Sequence, residues 1–200
     1  MKTNTDPLEP DTYYHIYNRG INKENIFKED RNYSFFLERY SKFIAPVAET
    51  YSYCLLKNHF HVLICTRSES EIRTAFPIKN KLETGKIISM QFSHLFNSYA
   101  QAVNKSFKRT GGLFETPFRR ILVRDAAYRN GLVRYIHLNP KKHGFTDDFR
   151  VYPWSSYLSY RNRGQDTVER TEGLAWFGGE EGFIEYHESP DQDEGIYVDS

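Results

Sequence analysis

Two histidines alternate with apolar residues in the segment Asn58-His59-Phe60-His61-Val62. In a β-strand, residues i and i+2 point to the same face, so His59 and His61 project side by side and Phe60 points away from them. Two adjacent imidazoles are a ready pair of nitrogen ligands for a divalent metal ion. The alternative is two polar side chains on a solvated face. The apolar setting of the pair favours the metal site.

A second group of polar residues lies in Arg134-Tyr135-Ile136-His137-Leu138-Asn139-Pro140. Tyr135 and Asn139 are four residues apart, so on a helix they share one face. This spacing directs a hydroxyl and an amide oxygen towards one ion. The ordinary pKa of tyrosine is about 10, so the hydroxyl is a weak nucleophile unless a cation favours the phenolate. A covalent attack on phosphorus suits a reaction that conserves phosphodiester energy for rejoining.

Other tyrosines lack this partner. Tyr99 has Val103 four residues on, and Tyr128 has Leu132. Tyr135 is one of 15 tyrosines, and core packing is the alternative role for any of them. The amide in register selects Tyr135 as the candidate nucleophile, with Asn139 as the candidate third metal ligand.

The elements that must position these residues follow from hydrophobic periodicity and turn signals. Strands are predicted at residues 12–18, 51–56, 60–65 and 118–123, and helices at residues 31–44, 91–107 and from Asp125 to about Leu138. Asp125 is the expected N-cap of the last helix, and Pro140 with Gly144 is expected to terminate it. A mostly polar, partly helical stretch separates the third strand from the second helix.

This order predicts an α+β fold: a ferredoxin-like split βαβ antiparallel sheet with helices on one face and an appended C-terminal catalytic helix. Residues 1–160 are expected to form the catalytic domain, and residues 161–200 an acidic, partly disordered C-terminal extension. Residues 162–171 read as a linker, and residues 189–200 as disordered.

Composition is typical of a globular protein, with 39% hydrophobic residues. The sequence has no apolar run long enough for a membrane span and no apolar N-terminal signal region, so we expect a cytoplasmic protein without membrane contact. Cys54 and Cys65 lack the spacing of metal ligands, which favours two free thiols.

The net charge of +1 hides a strong asymmetry. Residues 166–200 contain eleven acidic residues and one basic residue, a net charge of −10, which leaves 26 basic and 15 acidic residues, or +11, in residues 1–165. A basic body predicts a polyanionic partner. The alternative is a solvated basic surface that is balanced by the acidic segment.

Basic residues gather around the candidate site, interleaved with aromatic residues that suit base stacking or, more simply, core packing. The residues expected to contact nucleic acid are Arg19, Arg119, Arg120, Arg124, Arg134, Lys141 and Lys142. The interleaved aromatic residues are Phe107, Phe114 and Phe118.

Several motifs together resemble one family. They are residues 14–20 (YHIYNRG), 53–61 (YCLLKNHFH), 112–120 (GLFETPFRR), 134–144 (RYIHLNPKKHG) and 154–157 (WSSY). In order and spacing they are similar to the single-tyrosine HUH transposases related to IS200-like elements, in the branch of REP-associated tyrosine transposases. The resemblance covers about residues 12–160.

The resemblance implies cleavage and rejoining of hairpin-flanked single-stranded DNA through a 5′-phosphotyrosine link, with Mg²⁺ or Mn²⁺ as cofactor. His59 and His61 match the family's histidine pair, and Tyr135 matches its nucleophile. Asn139 falls where related insertion-sequence transposases have a glutamine ligand. Asparagine keeps the amide oxygen on a side chain that is one methylene shorter. Monomer and homodimer both remain open.

Two other functions are compatible with these residues. One is a domesticated protein that binds structured single-stranded DNA without transposition activity. The other is an RNA-binding regulator, because basic ferredoxin-like domains often bind RNA. An intact histidine pair and Tyr135 favour the enzyme over the first, and the lack of an aromatic RNA-binding strand motif counts against the second.

Overall fold

The computed structural model of the protein describes residues 7–79, 81–161 and 167–190. Within these residues, four antiparallel strands form one sheet in the order β2-β3-β1-β4. The strands are β1 (Tyr13–Arg19), β2 (Ala48–Leu56), β3 (His59–Thr66) and β4 (Arg119–Leu122). This strand order confirms the ferredoxin-like sheet predicted from the sequence.

Seven α-helices surround the sheet in the described part of the chain. They are α1 (Asp30–Ile44), α2 (Glu69–Ala75), α3 (Thr84–Ser106), α4 (Ala126–Lys142), α5 (Tyr157–Arg161), α6 (Arg170–Ala175) and α7 (Glu180–Glu188). Short 3-10 turns occupy Ile21–Lys23, Pro77–Lys79 and Phe149–Val151. The element order over β1 to α4 agrees with the prediction, and α2 fills part of the polar stretch.

Alternation along the central strands gives the sheet two different faces. Ile16 on β1 and Phe60 and Val62 on β3 are buried on the first face, with Phe36 of α1 and Phe92 of α3. Apolar side chains at helical spacing on α1 and α3 cover this face, because burial of that surface is the main driving force for packing. Both helices of the split βαβ unit therefore lie on one face, as predicted.

The appended helix α4 lies on the opposite face. Leu132, Val133 and Ile136 pack there in a second cluster with Cys54 of β2 and Leu63 of β3. Because the histidines of β3 alternate with Phe60 and Val62, they point to this second face. The fold therefore turns the histidine pair towards α4.

Helix α4 begins as predicted and ends later than predicted. The Asp125 side chain caps it by accepting a hydrogen bond from the Tyr128 backbone N–H at 2.8 Å. The predicted stop at Pro140 is wrong, since the helix continues to Lys142. A proline removes one backbone hydrogen bond from a helix, and here the loss falls only two residues before the helix ends. The ring of Pro140 is buried. Gly144, with φ at 68°, follows the last turn.

Helix α3 also begins earlier than predicted, at Thr84 instead of residue 91. Ile87 and Ile88 are fully buried in the first cluster, so the added turns contribute to the core. Lysine, glycine and serine interrupt the apolar pattern of this stretch, which is why periodicity alone placed the start too late.

The chain beyond α5 packs against the second face. Val168 forms a parallel bridge with Thr50, and Leu174 of α6 and Phe183 of α7 are buried in the second cluster. A 2.8 Å hydrogen bond between the side chains of His187 and His137 joins α7 to α4. The division at residue 160 stays a prediction. Of the predicted linker and disordered end, residues 162–166 and 191–200 lie outside the described residues.

The two cysteines, Cys54 and Cys65, are free thiols, as expected, with Cys54 buried and Cys65 half-buried. Across the described ranges, no helix combines the length and apolar character that a bilayer crossing requires.

Candidate active site

The neighbouring strands β1 and β3 hold three imidazoles on the second face of the sheet. His59 pairs with Arg19 and His61 with Tyr17 in the antiparallel register. The ring centroids of His59 and His61 are 5.2 Å apart. His15, two residues before Tyr17, projects to the same face, and its ring centroid lies 5.1 Å from that of His61.

Each histidine of the predicted pair has one nitrogen engaged and one unpartnered. The Nδ1 atom of His59 lies 2.8 Å from Oδ1 of Asn58, and Nδ1 of His61 lies 3.0 Å from Nε2 of His15. The Nε2 atoms of both His59 and His61 are buried and have no hydrogen-bond partner in the protein. A buried polar atom without a hydrogen-bond partner lowers the stability of a protein by about 1–3 kcal/mol. Two such atoms on neighbouring side chains therefore indicate a binding site rather than a purely structural arrangement.

Tyr135 of α4 lies against His61 and His15. Its ring centroid is 5.7 Å from that of His61 and 6.4 Å from that of His15, with edge-to-face geometry in both cases. Tyr135 is largely buried, with 8% of its surface exposed. Tyr99, in contrast, is fully buried in the first cluster and donates a hydrogen bond to the Ile26 carbonyl. Of the tyrosines weighed from the sequence, Tyr135 lies at the histidines and Tyr99 does not.

Asn139 lies one turn beyond Tyr135 and is fully buried. Its Nδ2 atom is 3.4 Å from the Tyr135 backbone carbonyl, whereas its Oδ1 atom is buried without a hydrogen-bond partner. The amide is close enough to His59 to raise the pKa of that imidazole, against the larger effect of burial. The helix thus brings a third unpartnered ligand atom to the histidine pair.

The donor set fits a divalent metal ion. Two imidazole nitrogens and one amide oxygen are ligand types that first-row divalent ions accept, and open positions would remain for phosphate oxygens or water. The described residues contain no cluster of three or more His, Cys, Asp or Glu side chains suited to a metal. The buried donor atoms without partners make His59, His61 and Asn139 the candidate ligands, which are the residues expected from the sequence.

Burial keeps these imidazoles neutral. It lowers the pKa of His59 to about 4, with the nearby His143 as a second cause. Burial, followed by the charges of His15 and His59, holds the pKa of His61 well below its usual value. Burial alone lowers the pKa of His15 to about 3. Because only a neutral imidazole binds a metal, both candidate ligands, His59 and His61, are in the form that could bind one at neutral pH.

A cavity of about 270 Å³ opens beside the histidines. Its lining includes the cationic side chains Arg19, Lys23 and Arg119. Glu115 accepts from Arg19 at 2.6 Å and lies 3.6 Å from Arg119. The complete lining is Tyr17, Asn18, Arg19, Lys23, Asn58, His59, His61, Glu115, Arg119, His143 and Phe145. Two of the predicted DNA-contacting arginines therefore border the candidate site directly.

The other predicted DNA-contacting residues are distributed differently. Arg120 points to the first face, where it contacts Ser89 of α3 at 3.3 Å and covers the Phe118 ring. Arg124 is exposed beyond β4. Lys141 and Lys142 are exposed at the end of α4.

Lys142 places its ammonium 5.0 Å from the centre of the Tyr135 ring. Arg134 is 4% exposed and donates to the Ser189 carbonyl at 2.8 Å. A DNA contact by Arg134 would require the segment after α7 to move. The predicted aromatic stackers Phe114 and Phe118 are buried in the first core cluster, with Phe107 packed against it, which matches the alternative of core packing.

Sequence reasoning did not single out four residues of the site: His15, Asn58, Glu115 and His143. His15 could have been found by extending the alternation to β1, where Tyr13, His15 and Tyr17 share a face. Asn58 lies in the turn between β2 and β3, and Glu115 in the loop between α3 and β4. His143 is the C-cap of α4, with its ring 4.9 Å from that of His59. These three residues fall within the motifs that carry the family resemblance, but their spacing alone assigns them no role.

In this fold, the strand with the histidine–hydrophobic–histidine sequence faces the helix that carries Tyr135. No model of a known protein family matches the chain. A Haemophilus influenzae protein named "Putative REP-associated tyrosine transposase" is 26% identical over 114 residues, which cover 54% of this chain and 58% of that protein.

A solved structure of a REP-associated tyrosine transposase bound to a REP hairpin matches with a TM-score of 0.61 at 15% identity, over 84% of this chain and 94% of that chain. At this identity, the structural likeness demonstrates the fold. The two comparisons confirm the resemblance to REP-associated tyrosine transposases that the motifs indicated.

The unpartnered amide of Asn139 leads to a stability prediction. Replacing Asn139 by leucine removes a buried unsatisfied oxygen, so the free energy of unfolding should stay the same or rise by about 1 kcal/mol. The matched control is Ser156→Ala, because the Ser156 hydroxyl is fully engaged, with the Tyr53 backbone N–H and His137 both at 2.8 Å. That change should cost about 1–3 kcal/mol.

Urea unfolding at pH 7 without added metal measures both changes. A loss in the Asn139→Leu variant as large as that in the Ser156→Ala variant would contradict the assignment of the Asn139 oxygen as an atom that lacks a structural partner.

Proposed function

We propose that the protein is a metal-dependent transposase of single-stranded DNA that cleaves and rejoins hairpin-flanked sites through a 5′-phosphotyrosine intermediate. The observation that carries this proposal is the convergence of three buried, unpartnered ligand atoms beside the Tyr135 ring. The similarity to a REP-associated tyrosine transposase, and to a structure bound to a REP hairpin, supports the same substrate class.

In this proposal, Nε2 of His59, Nε2 of His61 and Oδ1 of Asn139 would hold a Mg²⁺ or Mn²⁺ ion. A bound ion would supply Lewis-acid stabilisation of the charge that develops on the scissile phosphate. The residues contribute a buried donor set without formal charge, which would leave the positive charge of the ion uncompensated by the protein. Burial of the imidazoles prevents their protonation from competing with the metal at neutral pH.

Tyr135 supplies the nucleophile. Its hydroxyl oxygen forms a bond to phosphorus, the bond from phosphorus to the 3′ oxygen breaks, the phenolic proton passes to water and the 3′ oxygen takes up a proton. A second 3′-OH reverses these changes on a new strand and restores the phenol. The Lys142 ammonium near the Tyr135 ring favours the phenolate by placing positive charge beside it.

Cations around the site provide the path for the DNA backbone. Arg19 and Arg119 border the cavity, and Lys141 and Lys142 are exposed at the end of the catalytic helix. Each cation that neutralises a phosphate releases counterions, which makes the affinity salt-dependent. The exposed cations near the cavity therefore carry the proposed contact with DNA.

Replacing Tyr135 by phenylalanine should abolish covalent protein–DNA adducts and leave DNA binding unchanged, because only the attacking oxygen is removed. The probes are hairpin oligonucleotides with randomised single-stranded arms and a fluorophore at the 3′ end, which stays on the protein-linked fragment. Adducts formed with Mn²⁺ are read on a denaturing gel, and binding by fluorescence anisotropy. The matched control is Tyr128→Phe, two turns earlier on α4, which should form adducts like the native protein.

Adducts that persist in the Tyr135→Phe variant would refute Tyr135 as the nucleophile. Tight hairpin binding by the native protein without any adduct, at every metal tested, would favour the domesticated DNA-binding protein instead.

The two neighbouring arginines of β4 should differ in their effect on DNA binding. Replacing Arg119 by alanine removes a cation at the cavity, so the slope of log affinity against log salt concentration should fall in magnitude by about 1. Replacing Arg120 should leave the slope unchanged, because its side chain lies on the opposite face of the sheet against α3. Equal slopes in the two variants would contradict the proposed DNA path.

A further inference from the structure

The fully buried imidazole of His15 has a role beyond packing. We propose that His15 is a positioning residue: its Nε2 atom accepts a hydrogen bond from Nδ1–H of His61 and so keeps the Nε2 lone pair of His61 directed at the metal. This inference rests on the proposed function, in which that lone pair binds the ion. His15 itself touches neither metal nor DNA.

The contact is built into the sheet. His15 lies on β1 and His61 on β3, which pair as adjacent antiparallel strands, and both side chains are on the face that α4 covers. The distance from Nε2 of His15 to Nδ1 of His61 is 3.0 Å, and the two residues are 0% and 2% exposed. Water therefore has no access through which it could replace this hydrogen bond.

A neutral imidazole carries one proton, on either Nδ1 or Nε2, and the partner of one nitrogen decides the state of the other. At His59 the partner is the Oδ1 oxygen of Asn58, which can only accept, so Nδ1 of His59 carries the proton and Nε2 is free to bind. If Nε2 of His15 accepts from His61 as the Asn58 oxygen accepts from His59, both candidate ligands carry their proton on Nδ1 and have a free lone pair on Nε2. Such hydrogen bonds fix ring orientation and tautomer in metal sites generally.

Burial of the polar His15 imidazole lowers the stability of the fold, so packing alone does not explain the residue. In the proposed tautomer its own proton lies on Nδ1, and that atom is buried without a hydrogen-bond partner. An apolar residue of similar size would fill the same volume without this desolvation cost. The control of the His61 tautomer accounts for the presence of an imidazole at position 15.

The test uses two amide variants with different reach. In His15→Gln the amide oxygen comes close to the position of the imidazole Nε2 atom and can accept from His61. In His15→Asn the side chain ends near the position of Nδ1 and falls short. Mn²⁺ affinity of the DNA-free protein, measured by isothermal titration calorimetry, should fall about 10- to 100-fold in His15→Asn. His15→Gln should stay much closer to the native affinity.

A second measurement needs neither metal nor a variant at His15. Long-range ¹H–¹⁵N correlation of the metal-free native protein should show the proton of His61 on Nδ1, with the signal assigned by its absence in His61→Gln. A proton on Nε2 of His61 would overturn the proposal even if the His15→Asn variant fails to fold. Equal Mn²⁺ affinities for the native protein and a folded His15→Asn variant would overturn it as well.

The two hypotheses fail in different ways. A native protein that binds no Mn²⁺ contradicts the metal site of the proposed function, and the tautomer of the metal-free protein still decides the role of His15. A native protein that binds Mn²⁺ with the proton of His61 on Nε2 contradicts the role of His15 alone.

Discussion

The alternation of side chains along β3 is the constraint on which the rest of the structure depends. Phe60 and Val62 must stay in the first core cluster, beneath α1 and α3, and the two-residue period then fixes His59 and His61 on the opposite face. A shift of the β3 register by one residue would turn His59 and His61 into the core and Phe60 and Val62 towards α4. Strand pairing with β1 and β2 holds this register, so the stability of the first core also orients the candidate metal ligands.

Helix α4 converts that histidine pair into a site. Its apolar residues anchor it on the second face, and this packing carries Tyr135 and Asn139 to the imidazoles. The cost is a set of buried atoms without partners, which general folding physics disfavours. The same burial keeps the pKa of each imidazole low, so the groups that lower the stability of the fold are also the ones suited to bind the proposed cation. A local loss of folding stability is expected where residues are selected for function rather than for packing.

Much of this arrangement was predictable from the sequence, because it rests on periodic patterns. The four strands, α1, α4, the shared face of His59 and His61 and the shared face of Tyr135 and Asn139 followed from two- and four-residue spacing, whereas the meeting of the two pairs was expected from the family resemblance. The short helices α6 and α7 did not, because six and nine residues give too little periodicity and these helices are stabilised by tertiary packing. Likewise, composition could not separate Arg119 from Arg120, or foresee that Arg134 is covered, since that depends on which face each side chain meets. The position of His15 on the same face is also predictable, because the two-residue alternation holds along β1 as it does along β3.

The central claim is that one ion joins β3 to α4. Crystals grown with MnCl₂, with diffraction measured where manganese scatters anomalously, test it most directly. The account predicts one anomalous peak at about 2 Å from Nε2 of both His59 and His61, with the Asn139 amide oxygen and the Tyr135 hydroxyl turned towards it. Manganese bound elsewhere, or a histidine pair that stays bare at saturating metal, would contradict it.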